Sequence, residues 1–155
     1  MLGKAALPDD LPFVTGTAGW LGMAASNQML AECDTLLMVG SDFPYTEYLP
    51  EKAQARGVQI DISPRMLGLR YPMEVNLTGY TRETLRALLP LLNEQPDRSW
   101  RESIEGNKRD WLAELDRRAG LDADPINLER IFYELNKRLP DDVILTGDSG
   151  SSTVW

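Results

Sequence analysis

The sequence predicts an α/β fold in which a parallel β-sheet is flanked by helices. Residues 35–40 form a continuous apolar run closed by glycine, and residues 57–62 form a second, mainly apolar run. Such runs are typical of parallel strands that are covered on both faces. They alternate with segments of helical periodicity, and this order indicates a layered, Rossmann-like sheet.

The first elements follow a glycine-punctuated loop at residues 14–22. Residues 23–32 have a composition that favours a helix with a packed face. The strand at residues 35–40 comes next. A loop is expected at residues 41–45, because Pro44 disfavours a helical conformation in the residue before it.

Two further strands are expected at residues 57–62 and 75–79. Between them, Pro64 can occupy the first turn of a short helix with Ser63 as its cap. Thr81 is expected to cap the following helix. The apolar stripe of that helix consists of Leu85, Leu88, Leu89 and Leu92.

The second half of the chain is predicted to be mainly helical. Residues 93–99 are polar and contain proline, so a linker is expected there. The next helix carries its large apolar residues at helical spacing: Trp100, Ile104, Trp111 and Leu115. Asp124–Pro125 predicts another helix start. The expected buried face of this last helix consists of Leu128, Ile131, Phe132, Leu135 and Leu139. A final strand is expected at residues 143–145.

The composition limits the chemistry that the 155 residues can perform. Histidine is absent, which excludes Ser/His/Asp and Cys/His nucleophile arrangements and His-based zinc sites. We therefore assign no catalytic residue and no metal ligand. The net charge of −8 argues against nucleic acid as a partner. A lone cysteine and the lack of any apolar run near the roughly 20 residues of a membrane span predict a cytoplasmic location.

Ligands of open parallel sheets bind at the carboxyl ends of the strands, and three features are expected there. The first is the loop with Gly16, Gly19 and Gly22 at a helix start, where backbone N–H groups and the helix dipole favour phosphate. Its spacing matches neither common phosphate-binding glycine pattern. The pattern alone favours a tight turn that requires glycine.

The other two features follow predicted strands. After the first strand, Gly40 permits close backbone approach, and Phe43 or Tyr45 can either lie against a flat ring or pack in the core. Asp61 lies inside an apolar strand. It can accept hydrogen bonds from ribose hydroxyls, or it can cap the turn at Ser63.

The remaining reactive and charged residues have simpler interpretations. Cys33 has no His or Lys beside it, so it is expected to fill the core. Residues 98–118 are predicted to carry a solvated helix face with pairs such as Glu114–Arg118. Asp148, in a glycine-flanked loop after a predicted strand, is either a site residue or a turn former.

Several stretches resemble, in order, the thiamine-diphosphate-dependent 2-oxo acid enzymes. Residues 58–64, Val-Gln-Ile-Asp-Ile-Ser-Pro, are similar to the family's "iqIDidP". The other matching stretches are residues 2–10, residues 15–22, residues 31–40, and residues 147–150 with Trp155. Because they span nearly the whole chain, they are more specific together than any glycine loop.

Residues 40–45 and 85–91 look closest to the pyruvate oxidase or quinone-dependent pyruvate dehydrogenase branch, which carries FAD on its central domain. The resemblance implies FAD contacts from Ala18, Gly19, Trp20, Leu21, Gly22, Ser41, Asp42, Phe43, Pro44, Tyr45 and Asp61. One departure is Tyr80, at a position where the branch often has an acid that contacts the adenosine. Tyr80 can stack instead, or the flavin is lost. Related members bind ADP here or nothing.

The resemblance also divides the chain. It implies that residues 1–95 are a central FAD- or nucleotide-binding domain without its amino-terminal strands, that residues 96–140 are a helical linker, and that residues 141–155 start the thiamine-diphosphate-binding domain. The family's activating glutamate and its metal-binding Gly-Asp-Gly motif are not found in this sequence. Thiamine diphosphate and magnesium are therefore implied for the parent enzyme and not for this piece.

The chain is accordingly interpreted as a fragment that is not catalytic alone. In the implied parent, a homo-oligomer, a 2-oxo acid would be decarboxylated and electrons would pass to FAD. The expected partners are the nucleotide cofactor and the remaining domains of the parent. The alternatives are a structural central domain of a non-redox acetolactate synthase or 2-oxo acid decarboxylase, and a free-standing nucleotide-binding module.

Overall fold

A parallel sheet forms the centre of the chain. The computed structural model of the protein describes residues 6–147 and residue 150. Strands β1 (Thr35–Val39), β2 (Arg56–Asp61) and β3 (Val75–Thr78) pair in parallel in the order β1–β2–β3. The predicted α/β class with a parallel sheet and flanking helices is confirmed.

The described helices are α1 (Ala24–Glu32), α2 (Thr81–Leu88), α3 (Ser99–Ala119) and α4 (Leu128–Asn136). Helices α1 and α2 lie on opposite faces of the sheet and bury the side that packs against it. On one face, α1 packs over a core cluster that consists of Cys33, Leu36, Met38, Leu49, Ala55 and Tyr71, with Leu30 against it. On the other face, Ile60 is fully buried and α2 contacts β2. Leu37, Val75 and Leu77 on this second face remain exposed. The sequence predicts that both faces of the sheet are covered, but the described helices cover the second face only in part.

Cys33 fills the core, as its surroundings in the sequence predict. Its thiol is buried and donates to the Leu30 carbonyl at 3.3 Å. Burial raises the pKa of the thiol, and the neighbouring Asp34 carboxylate raises it further. The thiol is therefore held in its unreactive, protonated form.

Two predicted helix starts are wrong, the first by one residue and the second by three. Tyr80, not Thr81, is the N-cap of α2, and Thr81 is its first helical residue. The last helix begins at Leu128 and not at Asp124–Pro125, because Asn127 provides the better cap. Its side-chain oxygen accepts from the backbone N–H groups of Glu129 and Arg130 at 3.0 and 3.4 Å.

Two predicted elements do not form. Residues 63–70 make a series of turns and not a short helix. Residues 143–147 have irregular structure, so the expected strand at 143–145 is absent from the described residues. A strand needs a partner for its backbone N–H and C=O groups, and no described segment pairs with these exposed residues.

The segment after residue 96 folds onto the sheet domain. Helix α3 packs against α1, and its Ile104 and Ala119 are buried. Lys108 of α3 is also buried, and its Nζ donates to the carbonyl oxygens of Asp9 and Leu11 at 2.7 Å each. By contrast, the stripe of α4 that was predicted to be buried is only partly covered, because Leu128, Ile131, Phe132 and Leu135 are each 39% to 42% exposed.

Helix α3 carries the predicted charge pairs on its solvated face. Arg117 Nε and Arg118 Nε donate to the Glu114 carboxylate at 2.7 Å each. These hydrogen bonds, from Arg117 first and then Arg118, lower the pKa of Glu114 from 4.5 to about 2.

This pKa predicts how the ion-pair cluster responds to acid. Because the folded pKa lies below the unfolded one, the stabilisation is fully present above pH 4.5 and is lost as the pH falls towards about 2. A carbon-detected NMR titration of the Glu114 carboxyl should give a midpoint of about 2. A midpoint near that of an ordinary glutamate would contradict the arrangement. Glu114→Gln should remove this part of the acid dependence of unfolding.

Candidate functional site

The carboxyl edge of the sheet brings together the loops that follow all three strands. Gly40 N donates to Ile60 O at 2.8 Å, and Gly79 N donates to Asp61 O at 3.0 Å, so the ladder continues to the end of each strand. A Cβ placed on Gly40 would lie 3.7 Å from Thr81 Oγ1. The loop after β1 and the start of α2 therefore approach each other closely, and a residue without a side chain leaves room for this approach.

The glycine loop is a tight turn, held by a hydrogen bond within the loop and by the Asn27 side chain of α1. Gly19 N donates to Asn27 Oδ1 at 2.8 Å, and Asn27 Nδ2 donates back to Gly19 O at 3.0 Å. Gly22 N donates to Gly19 O at 2.9 Å. A Cβ on Gly22 would lie 2.5 Å from the carbonyl carbon of Ala18, so only glycine fits there. The tight-turn interpretation is confirmed, and the N–H groups of Gly19 and Gly22 are not available to a phosphate.

The amino terminus of α1 has acidic neighbours. A cleft of about 290 Å³ between α1 and α3 is lined by Ala24 and Ala25 on one side and by Asp110 and Glu114 on the other. Of these two carboxylates, Glu114 is already paired with Arg117 and Arg118. The Asp110 carboxylate is favourable near the positive end of the helix dipole but repels a further anion, so the start of α1 is a poor phosphate site on this side.

The aromatic residues after β1 divide into two roles. Phe43 is half-buried and packs against the core cluster. Tyr45 is 52% exposed and meets Phe43 edge-on, with ring centroids 5.6 Å apart. A Cβ on Gly19 would lie 3.8 Å from the Tyr45 ring, so the glycine turn and this loop are adjacent. Of the two rings, only Tyr45 is placed to contact a ligand.

Asp42, in the same loop, is committed to an ion pair. Arg70 Nε and Nη2 donate to its two carboxylate oxygens at 2.7 and 3.3 Å. The hydrogen bonds from Arg70 lower the pKa of the Asp42 carboxyl, which keeps it ionised. Asp42 thus joins the loop after β1 to the turn after β2.

Asp61 ends the central strand and is 7% exposed. Its Oδ1 accepts a hydrogen bond from Ser63 N at 2.8 Å, so the turn-capping interpretation is confirmed. Its other oxygen, Oδ2, accepts no hydrogen bond from the part of the chain that the structure describes. The side chain therefore retains one acceptor while it holds the turn.

The edge also exposes large side chains. Trp20, Leu21, Ile62 and Tyr80 are all exposed in the loops that reach it. Among the described residues, no group of three His, Cys, Asp or Glu side chains is placed to hold a metal ion. No described helix is long and apolar enough to cross a membrane. Asp148 lies outside the described residues.

Sequence reasoning missed the residues that fix these loops. Asn27 clamps the glycine turn, Arg70 pairs with Asp42, and Gln59 bridges two loops from inside β2. One signal was present for Gln59, because an amide within an apolar strand needs hydrogen-bond partners when it is buried. Nothing local in the sequence identifies those partners.

Comparison with known proteins gives the family. A sequence model described as "Thiamine pyrophosphate enzyme, central domain" matches residues 1–88. The putative thiamine pyrophosphate-containing protein YdaP of Bacillus subtilis is 30% identical over 152 residues, which are 98% of this chain and 26% of that protein.

Two further relatives show the range of activities. Pyruvate oxidase of Lactiplantibacillus plantarum is 27% identical over 148 residues, 95% of this chain and 24% of that protein. A probable acetolactate synthase large subunit of Methanocaldococcus jannaschii is 27% identical over 170 aligned positions, 100% of this chain and 28% of that protein. The chain thus spans 24% to 28% of the length of these relatives.

Proposed function

Because the chain belongs to the central-domain family of thiamine pyrophosphate enzymes, we propose that it binds the adenosine part of FAD at the carboxyl edge of its sheet. In this proposal it serves a thiamine-diphosphate-dependent enzyme of the pyruvate oxidase type. The observation that carries the proposal is the position of Asp61 at the end of the central strand, with one oxygen unused. A carboxylate in this position suits the hydroxyls of a ribose.

The surroundings of Asp61 support the same ligand. Tyr45 offers an open ring to a flat base or flavin, and Gly40 allows close backbone approach. The N–H groups of Trp20 and Leu21 donate to no described residue. They can therefore donate hydrogen bonds to a phosphate, whereas the N–H groups of Gly19 and Gly22 are already bonded within the turn. FAD would supply the electron-accepting chemistry, and these residues would bind and orient it.

The proposal extends to the organisation of the chain. Residues 1–95 would form the central domain, residues 96–140 a helical linker, and residues 141–155 the start of the thiamine-diphosphate-binding domain. The end of the family match at residue 88 and the two helices that follow support this division. The whole enzyme would be a cytoplasmic homo-oligomer that uses thiamine diphosphate and magnesium to decarboxylate a 2-oxo acid.

A second candidate is a non-redox enzyme in which this domain binds ADP or serves a structural role. The observation that favours it is Tyr80, an exposed aromatic residue where an acid would add a further contact to adenosine. The similarity to a probable acetolactate synthase covers the whole chain, so it supports this candidate as well as the similarity to pyruvate oxidase supports the first. The two candidates differ in whether the flavin ring contributes to binding.

Titration of the chain with FAD and, separately, with ADP tests the proposal. We expect saturable binding by calorimetry, with FAD tighter than ADP and with a change in flavin fluorescence. Equal affinity for both ligands would favour the non-redox candidate. Binding of neither would reject a nucleotide role.

Asp61→Asn provides the matching variant. It keeps an oxygen for Ser63 N but replaces the second carboxylate oxygen by a donor. A hydrogen bond to a charged group contributes about 1.5–3 kcal/mol, so we expect about 10- to 150-fold weaker binding. Glu74→Gln is the control, because Glu74 pairs with Arg56 at the opposite edge of the sheet. Equal losses in both variants would place the ligand elsewhere.

A further inference from the structure

Gln59 is a buried amide that links two loops of the carboxyl edge. It lies within β2 and is 2% exposed. Its Oε1 accepts from Gly68 N at 2.9 Å, and its Nε2 donates to Ser41 O at 3.4 Å. Both partners are backbone groups, so the side chain fixes the course of the chain on both sides of it.

The two linked segments are the loop at residues 41–45 and the turns at residues 63–70. A second link joins them at the surface, where Arg70 pairs with Asp42. The turns themselves begin at Asp61, whose carboxylate holds Ser63 N. The segment after β2 is therefore fixed at its start by Asp61 and at its end by Gln59 and Arg70.

Simple core filling does not account for an amide at this position. Burying an amide is unfavourable unless its donor and acceptor are both satisfied, and an apolar side chain of similar volume would fill the same space. The two backbone partners supply the reason for a glutamine. Ser41 belongs to the loop that carries Tyr45, and Gly68 belongs to the turns that follow Asp61.

We propose that Gln59 is a positioning residue for the nucleotide site. Its amide sets the separation between residues 41–45 and residues 63–70, and thereby the position of the Tyr45 ring relative to the Asp61 carboxylate. This inference rests on the proposed nucleotide binding at the carboxyl edge. Gln59 itself makes no contact with the ligand.

Gln59→Leu is the direct test, with Gln54→Leu as its matched control. Gln54 is also an amide that bridges backbone groups, since its Nε2 donates to Ala31 O and Cys33 O at 2.6 and 3.1 Å, but it lies at the opposite edge. We expect Gln59→Leu to weaken FAD or ADP binding at least about tenfold. Gln54→Leu should leave the affinity unchanged at a temperature where both variants are folded.

Two further readouts separate positioning from general destabilisation. Hydrogen exchange of the Gly68 amide should accelerate in Gln59→Leu and not in Gln54→Leu, with or without ligand. Gln59→Glu should recover most of the lost affinity, because burial favours the protonated carboxyl, which can both accept from Gly68 N and donate to Ser41 O. Failure of this variant to recover binding would contradict the role.

The outcomes distinguish this inference from the function on which it rests. If the unmodified chain binds neither nucleotide, both are wrong. If it binds but Gln59→Leu and Gln54→Leu behave alike, only the positioning role is wrong. Should Gln59→Leu not fold, Gln59→Met removes the same two hydrogen bonds with an unbranched side chain of similar length. It should weaken binding and accelerate Gly68 exchange, and no change in either would overturn the proposal.

Discussion

Replacing Ile60 by alanine is expected to lower the free energy of unfolding by about 2–5 kcal/mol. Ile60 is 0% exposed and lies in the central strand, between Val39 of β1 and Leu77 of β3. Removing its side chain leaves a cavity between paired strands that cannot easily move together. Urea unfolding followed by circular dichroism measures the loss.

Ile62→Ala is the control for this prediction. Ile62 is two residues further along the chain but is 60% exposed, so the same substitution should change stability by less than about 0.5 kcal/mol. Similar losses for both variants would mean that the sheet does not bury Ile60 as described.

Replacing Gly22 by alanine is expected to cost about 1–3 kcal/mol, because the added carbon cannot be accommodated without backbone movement. Its Cβ would lie 2.5 Å from the Ala18 carbonyl carbon and 2.7 Å from Gly19 N. The turn would open, and the clamp between Asn27 and Gly19 would weaken with it. Thermal or urea unfolding measures the cost, and the amide resonances of the turn report its opening.

Gly147→Ala controls for the loss of glycine as such. Among the residues that the structure describes, no atom lies within 4 Å of a Cβ at Gly147, so stability should be unchanged to within about 0.5 kcal/mol. A stable Gly22→Ala variant with an intact turn would contradict the crowding at that position.

The sheet and its first helix were predictable because their signals are local. The apolar run that ends at Gly40 fixed β1, and the predicted boundaries of α1 and β3 lie within one residue of those observed. The start of α4 was not predictable in the same way. Both Asp124–Pro125 and Asn127 satisfy the local rules for a helix start, and the choice depends on which side chain meets the free N–H groups.

The candidate site was predictable only in part. Asp61 and the loop at residues 41–45 follow from the rule that strand ends carry sites. The contacts that hold them join residues distant in sequence, such as Gln59 to Ser41 across 18 positions and Asp42 to Arg70 across 28. No local pattern encodes such pairs. The strand expected at residues 143–145 failed for a related reason, because pairing requires a partner strand that the described chain does not provide.

The most direct test of the central claim is a map of backbone amide shifts in the isotope-labelled chain as FAD or ADP is added. We expect the largest changes at Gly40, Tyr45, Asp61 and Ser63, on the carboxyl edge of the sheet. The lining of the cleft between α1 and α3, at Gln28 and Asn107, should be unaffected. Changes confined to that cleft, or no changes at all, would contradict nucleotide binding at the carboxyl edge.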